Sequence, residues 1–250
     1  MIEAAESRTK EYLGRIASKR EERKTISTTN LKEETLQGYE LENTIQGKVR
    51  DLYICANFIV MISTDRQSAF DRVLTTIPLK GQVIERISNY WFQETAHLVP
   101  NHFMASPHLR VSICRRCQVF PIEFVMRGYI TGSTSTSMAT NYFENGMREY
   151  CGHRLPEGLM KNQKLAANLL TPTTKGIEKD ELISSREIVL KALLTQSDFD
   201  VCSEYAHTLF SFGQMKAREK GLILVDTKYE FGRDLVTGKI LLVDEIHTPG

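Results

Sequence analysis

The sequence predicts an α+β fold in which antiparallel strands precede a helical region and a closing β-hairpin. Three observations carry this expectation. Short β-patterned runs parted by Gly-containing turns fill residues 44–62 and return at 110–126, the longer helical patterns fall at 82–98 and in two stretches after residue 180, and residues 221–249 read as two strands around Thr237-Gly238. At 250 residues, 41% hydrophobic and 25% charged, the chain has material for one large domain or two lobes with a substantial core.

Residues 1–43 are charge-rich and poorly periodic beyond a short helical pattern at 12–16, so a charged N-terminal extension is expected there. Order begins at Thr44-Ile-Gln-Gly-Lys-Val-Arg-Asp-Leu-Tyr53, followed by Phe58-Ile-Val-Met-Ile62, which reads as strand, turn, strand, strand. Residues 63–71 read as a polar loop. A helix is predicted over 82–98, with Val83, Ile87, Tyr90 and Trp91 as its buried stripe. Strands at 110–113 and 118–126 follow, the second running into Arg127-Gly-Tyr-Ile-Thr-Gly-Ser133, and 134–137 read as a helix cap. Residues 145–180 look like an irregular connector. Two helices are expected at 180–195 and 200–220, the latter with an apolar face of Val201, Tyr205, Leu209 and Phe212 and a stop at Gly221.

Composition narrows the function classes. A net charge of +1 gives no global field for nucleic acid or an anionic membrane, and no apolar run approaches the roughly 18 residues that span a bilayer. Five scattered cysteines and the lack of an N-x-S/T sequon favour a reducing compartment. Cys114-x-x-Cys117 has no second pair or nearby histidine cluster, so both read as strand cysteines. An N-terminus rich in glutamate and without an apolar h-region argues against a transit peptide, and cytoplasm is the expected location. P-loop, dinucleotide-binding, serine-elbow and H-E-x-x-H patterns are all absent.

The chemistry concentrates in the hairpin. Strand alternation over 222–231 puts Asp226, Lys228 and Glu230 on one face and Val225, Tyr229 and Phe231 on the other, while Asp244 closes an apolar run over 239–246. Two readings stay open: a solvated face with cross-strand ion pairs, or carboxylates from two strands converging on a hard cation with Lys228 beside them. Upstream, Gly47-Lys48 offers a phosphate-binding turn, and Arg127 with Thr131-Gly-Ser133 offers a guanidinium, hydroxyls and backbone N–H groups for an anion. Together these describe a nucleotide-dependent phosphotransfer or ligase site.

Pro121-Ile-Glu-Phe-Val-Met-Arg-Gly-Tyr-Ile-Thr-Gly-Ser133 and Leu224-Val-Asp-Thr-Lys-Tyr-Glu-Phe-Gly232 resemble the two signature stretches of the SAICAR synthetase (phosphoribosylaminoimidazole-succinocarboxamide synthase) family. The segments 47–53, 65–71, 171–175 and 244–249 match it in order, so the resemblance covers about residues 44–249. It implies a two-lobed fold similar to the kinase and ATP-grasp arrangement: a β-rich ATP-binding lobe over 44–120 and an α+β catalytic lobe over 121–250, with ATP in the cleft. The implied reaction joins L-aspartate to 5-amino-1-(5-phosphoribosyl)imidazole-4-carboxylate, giving SAICAR, ADP and phosphate in purine biosynthesis. ATP and Mg²⁺ are the implied cofactors; small molecules are the implied partners, with no nucleic acid or membrane.

Carried over by position, the resemblance assigns Gly47, Lys48 and Lys175 to ATP, Glu230 and Asp244 to Mg²⁺, Lys228 and Asp226 to catalysis, and Arg127, Ser133 and Asp71 to the phosphoribosyl substrate. The family continues its last motif as His-Thr-Pro-Asp-Ser-Ser-Arg, whereas this sequence ends His247-Thr-Pro-Gly250. The resemblance therefore leaves an alternative expectation, a truncated and catalytically impaired ATP-binding relative.

Overall fold

A computed structural model describes Leu36 and residues 40–69, 72–175 and 180–249. The short helix expected at 12–16 and Asp71 lie outside the described residues. The chain divides into two units, one of residues 1–90, 102–116 and 248–250, the other of 91–101 and 117–247.

The first unit is built on strands β1 (Leu41–Gln46), β2 (Arg50–Cys55) and β3 (Phe58–Ser63), then the hairpin β4 (Arg66–Ala69) and β5 (Arg72–Thr76), helix α1 (Lys80–Thr95) as far as Tyr90, and strands β6 (Phe103–His108) and β7 (Val111–Arg115). Its main sheet runs β1-β2-β3-β7-β6 and every pair is antiparallel. Alternate residues of β2 and β3 meet β7 in a core of Tyr53, Cys55, Val60, Ile62, Val111 and Ile113. One expectation fails here and one strand went unread. The supposed polar loop at 63–71 contains β4, because Asp65 and Arg66 are tied down: the Asp65 carboxylate pairs with Arg110 at 2.6 Å and accepts the Gly81 N–H at 3.0 Å. β6 was not legible at all, its Phe-Met-Ala-Ser-Pro-His run lacking a clear period.

Helix α1 begins two residues before and ends three before the predicted 82–98, and its buried stripe is rotated by about one residue. Val83 and Tyr90 are each 52% exposed, whereas Ile84, Glu85, Ser88 and Asn89 are buried. Polar residues win that face because they find partners. The Glu85 carboxylate accepts from Ser63 Oγ at 2.5 Å and meets the Ser112 hydroxyl, which also lies 2.8 Å from Asn89 Oδ1. One hydroxyl proton serves one acceptor at a time, so the Ser112 hydroxyl is shared between the Glu85 carboxyl and Asn89 Oδ1. Burial raises the Glu85 pKa, opposed by the Ser112 and Ser63 hydrogen bonds and by the Arg50 charge. A carboxyl raised in the folded state lends stability below its unfolded pKa and loses it as pH climbs through the folded value. Glu85→Gln is therefore expected to melt closest to wild type, or above it, at pH 8 and to fall behind at pH 5; thermal melts across that range check this.

The second unit centres on the thirteen-residue strand β8 (Cys117–Tyr129). In chain order follow α2 (Met138–Phe143), β9 (Glu149–Tyr150), β10 (His153–Arg154), β11 (Lys164–Leu170), β12 (Thr173–Thr174), β13 (Glu181–Leu182), α3 (Ser185–Leu190), α4 (Gln196–Glu219), β14 (Asp226–Asp234) and β15 (Ile240–Val243). The sheet order is β13-β12-β8-β14-β15, with β11 also paired to β8. Ser137 caps α2 as expected, its side chain accepting the Thr140 N–H. The expected connector is a correction: β9 to β12 lie within it, and β11 adds to the sheet. The helix predicted over 180–195 shrinks to α3, closed by a capping box at Ser184 and Glu187 and by Ala192 in the left-handed region at φ 52°.

Helix α4 packs on the apolar side of the sheet. Of its predicted face only Leu209 is buried; Phe199, Cys202, Ala206, Phe210 and Gly213 join it, and Phe199 lies 5.8 Å from Phe124. Thr195 caps its start, and Gly221 follows its end at φ 70°, a conformation glycine takes without a Cβ penalty. The hairpin is offset from its predicted bounds. Leu222 and Ile223, expected in the first strand, are 66% and 67% exposed, and β14 starts only at Asp226. Among the described residues no helix is long and apolar enough to cross a membrane.

Candidate active site

Strands β8 and β14 run antiparallel with Asp226 opposite Arg127, Lys228 opposite Val125 and Glu230 opposite Glu123. Alternation sends Phe124, Met126, Tyr229 and Phe231 to the buried side. Glu123 and Arg127 of β8 therefore share the other face with Asp226, Lys228 and Glu230 of β14. Two carboxylates directly across a ladder repel one another. Lysines resolve the repulsion: Lys228 Nζ lies 2.8 Å from both Glu123 Oε1 and Glu230 Oε1, and Lys175 Nζ pairs with Glu230 Oε2. Thr173 donates to Glu123 Oε2 at 3.1 Å, fixing the last carboxylate oxygen. The result is a neutral quartet of two acids and two ammonium groups.

Burial alone would lower the Lys228 pKa, but the Glu230 and Glu123 charges, with hydrogen bonds to both, outweigh it and hold the pKa above the usual lysine value. Lys228 is thus a fixed cation. Arg127 is buried on the same sheet, donating to Thr171 Oγ1 at 3.0 Å, to the Thr136 carbonyl at 3.3 Å and to Asp226 Oδ2 at 3.3 Å. Tyr150 donates to the same Thr136 carbonyl, and burial pushes its pKa up to about 12.

The hairpin's return strand ends sooner than the sequence suggests. Val243 is the last residue of β15 and pairs with Glu230; Asp244 follows in the left-handed region at φ 64°, which breaks strand alternation at the one position that matters. Three residues on, His247 is also left-handed at φ 51°. Its Nε2 lies 2.6 Å from Tyr229 Oη, its ring meets Trp91 edge-on at 4.6 Å, and Nδ1 has no hydrogen-bond partner among the described residues. Burial pushes the His247 pKa down to about 3, so the imidazole is neutral.

Of the sequence-assigned residues, the sheet brings together Lys175, Lys228 and Glu230, and joins Asp226 to Arg127. Ser133 is exposed in the loop between β8 and α2. Gly47 and Lys48 belong to the first unit, in the turn between β1 and β2. Glu123, Thr171 and Thr173 are the residues that sequence reasoning missed. Glu123 was within reach, since it alternates with Val125 and Arg127 inside a quoted motif. The two threonines lie in the matching segment 171–175 but drew no role of their own, because no strand was foreseen there to turn them toward Glu123 and Arg127. Among the described residues no three of His, Cys, Asp and Glu gather to hold a metal, and all five cysteines are free. Both Glu230 oxygens are held by lysines, Oε1 by Lys228 and Oε2 by Lys175, so Glu230 suits Mg²⁺ only where an ion pair gives way and phosphate oxygens and water complete the shell.

Fold and site together define an α+β protein whose antiparallel sheet carries a lysine–carboxylate cluster and a buried arginine, suited to anionic ligands. The SAICAR synthetase family profile matches residues 43–250. The chain belongs to the SAICAR synthetase family. It is 55% identical over 224 residues to the chloroplastic phosphoribosylaminoimidazole-succinocarboxamide synthase of Arabidopsis thaliana, covering 90% of this chain and 53% of that protein. With the synthase of Legionella pneumophila (strain Paris) it shares 55% identity over 204 residues, 82% of this chain and 65% of the relative. The chain thus spans between about half and two thirds of the length of these relatives. Among solved structures, the SAICAR synthase from Saccharomyces cerevisiae superposes with a TM-score of 0.72 at 32% identity, covering 86% of this chain and 75% of that one. A structure from Ehrlichia chaffeensis, 18% identical with a TM-score of 0.67, shares the fold.

Proposed function

We propose that this chain catalyses the ATP-dependent joining of L-aspartate to 5-amino-1-(5-phosphoribosyl)imidazole-4-carboxylate, forming SAICAR, ADP and phosphate in purine biosynthesis. The observation that carries the proposal is the Glu123–Lys228–Glu230–Lys175 quartet standing on the same sheet face as Arg127. The yeast relative of similar fold was solved in complex with SAICAR, and the two curated relatives bear the name of this synthase.

A carboxylate is a poor electrophile at neutral pH, and transfer of a phosphoryl group to it before amine attack overcomes that. Negative charge builds on the reacting carboxylate and the transferred phosphoryl group. Lys228, whose raised pKa keeps it charged, stabilises that charge without serving as a base. Lys175 supplies a second positive charge, from the segment that the family assigns to ATP. Arg127 holds the phosphoribosyl group, with Asp226 as the exposed acid that yields to it, and the family resemblance assigns Ser133 and Asp71 to the same substrate. Gly47 and Lys48 take the ATP phosphates, in keeping with the lobes that the resemblance implies, a nucleotide-binding lobe over 44–120 and a catalytic lobe over 121–250. Glu230 and Asp244 would hold Mg²⁺, which neutralises phosphate charge when bound. None of these observations favours the alternative of an impaired ATP binder.

The test combines the chain with ATP, Mg²⁺, aspartate and the carboxylated imidazole nucleotide. One ADP is expected per succinocarboxamide product, and none when aspartate or the imidazole nucleotide is omitted. ADP release that ignores aspartate, or no release at all, overturns the proposal.

A further inference from the structure

In the first unit, Arg66 at the start of β4 makes contacts that nothing above has used. The turn from β1 to β2 closes with Gly47 N–H donating to the Arg50 carbonyl at 2.8 Å. Its three carbonyls all face one side. Gly47 O accepts from Arg66 Nη2 at 2.9 Å, Lys48 O from Arg66 Nε at 3.1 Å, and Val49 O from Thr64 N–H at 2.9 Å and Thr64 Oγ1 at 2.8 Å. The guanidinium is itself fixed by Asp51, with Nη2 to Oδ1 at 2.5 Å and Nη1 to Oδ2 at 3.5 Å. A peptide unit is planar and trans, so its N–H points opposite its C=O. Because the Gly47 and Lys48 carbonyls turn toward Arg66, the Lys48 and Val49 N–H groups turn away from it. Successive N–H groups facing one way form a concavity that suits an anion.

Gly47 permits this geometry. A Cβ there would fall 2.7 Å from the Arg50 carbonyl oxygen, a distance no side chain tolerates. Arg66 is the other requirement, since only a planar fork reaches two carbonyls and a carboxylate at once; a lysine ammonium is a single point. Asp51 is buried and offsets the guanidinium charge, so Arg66 shapes the turn and leaves anion contact to the far side.

We infer that Arg66 is the positioning residue of a polyphosphate-binding turn at Gly47–Lys48, holding its carbonyls inward so that the Lys48 and Val49 N–H groups and the Lys48 side chain meet the phosphates of a nucleoside triphosphate. This rests on the reading of the chain as an ATP-dependent ligase. The experiment titrates the full chain with ADP and with adenosine, for wild type, Arg66→Gln, Arg66→Lys and Thr64→Val, and records melting temperatures alongside. Arg66→Gln and Arg66→Lys are each expected to weaken ADP about tenfold while adenosine affinity stays unchanged. Thr64→Val, which keeps the Thr64 N–H bond and removes the hydroxyl that donates to Val49 O and accepts the Arg66 N–H, is expected to weaken ADP by about twofold to threefold. A purely structural Arg66 would lower adenosine and ADP binding together with the melting temperature, and that result overturns the inference. Unchanged ADP affinity in Arg66→Gln also overturns it while leaving the ligase proposal intact. Should the wild-type chain bind neither ADP nor ATP, both fall together. If Arg66→Gln fails to fold, Thr64→Val decides: equal loss of ADP and adenosine counts against, selective loss of ADP counts for.

Discussion

Lys228→Met is expected to lower turnover by on the order of a hundredfold to a thousandfold, the scale seen when a preorganised charge is removed from a developing anion. The variant leaves Glu123 and Glu230 opposite each other on β8 and β14, with Lys175 as the remaining cation of the quartet. Its effect on folding should be far smaller. The Lys228 side chain is 39% exposed, so solvent screens the pair and a loss of about 1 kcal/mol is the appropriate scale. Lys228→Arg restores charge but spreads it over a larger plane that cannot sit 2.8 Å from both carboxylates in the same way. It should recover the melting temperature and only part of the rate. ADP release and thermal melts on the two variants check the argument. A methionine variant as active as wild type would return Lys228 to the status of an ordinary cross-strand ion pair.

Gly213→Ala should be the most damaging small change for stability, at about 3 kcal/mol. In α4 this glycine lies against the His247 ring, and an added Cβ would sit 2.4 Å from Cε1, 2.8 Å from Leu224 Cδ2 and 2.9 Å from Nδ1. Either the helix shifts or the imidazole leaves its place by Tyr229 and Trp91. The second outcome has a pH signature. His247 has a folded pKa of about 3, well below the ordinary 6.5, so its neutral form contributes stability that is present above 6.5 and is lost as pH falls from there toward 3. Between pH 6.5 and 5 that loss is about 2 kcal/mol in wild type. Urea unfolding at intervals across this range should show a shallower acid slope in Gly213→Ala, because a displaced imidazole regains water and its ordinary pKa. Parallel slopes would mean that the helix moved and His247 stayed.

What the sequence disclosed, and what it withheld, follows from which forces act locally. The alternation of Asp226, Lys228 and Glu230 is a property of the chain itself, and it survived although the strand begins four residues later than expected. Gly221 and Ser137 were legible for the same reason: a helix stop and a cap are decided within a turn or two. The stripe of α1 was misread because apolar residues were assumed to win the buried face. Glu85 and Asn89 take it instead, since Ser63 and Ser112 satisfy them, and those serines lie 22 and 27 positions away from Glu85. Glu123 belongs to the same class of omission, as does the ion pair that Lys175 makes. Each meets its partner across the sheet, Lys175 from 55 positions away and Glu123 from 105, so periodicity near either residue carries no trace of the pairing. The resemblance to a family placed Lys175 near a nucleotide, but its contact with Glu230 is a fact of the three-dimensional sheet alone.

β8 has a consequence for how the chain reaches this state. One of its edges is met by β11 and β12, which follow within about fifty residues, whereas the other waits for β14, where Asp226 meets Arg127 from 99 positions away. At a synthesis rate of about 5–20 residues per second, a nascent chain carries that second edge unpaired for roughly 5–20 s. During this interval the Phe124 and Met126 side chains, fully buried in the finished fold, lack the Phe231 and Tyr229 neighbours that cover them. Closure of so distant a pair is also the slow part of refolding from denaturant, since loop entropy must be overcome before the ladder forms. The same long-range pairing that assembles the quartet thus makes it one of the last features of the protein to exist.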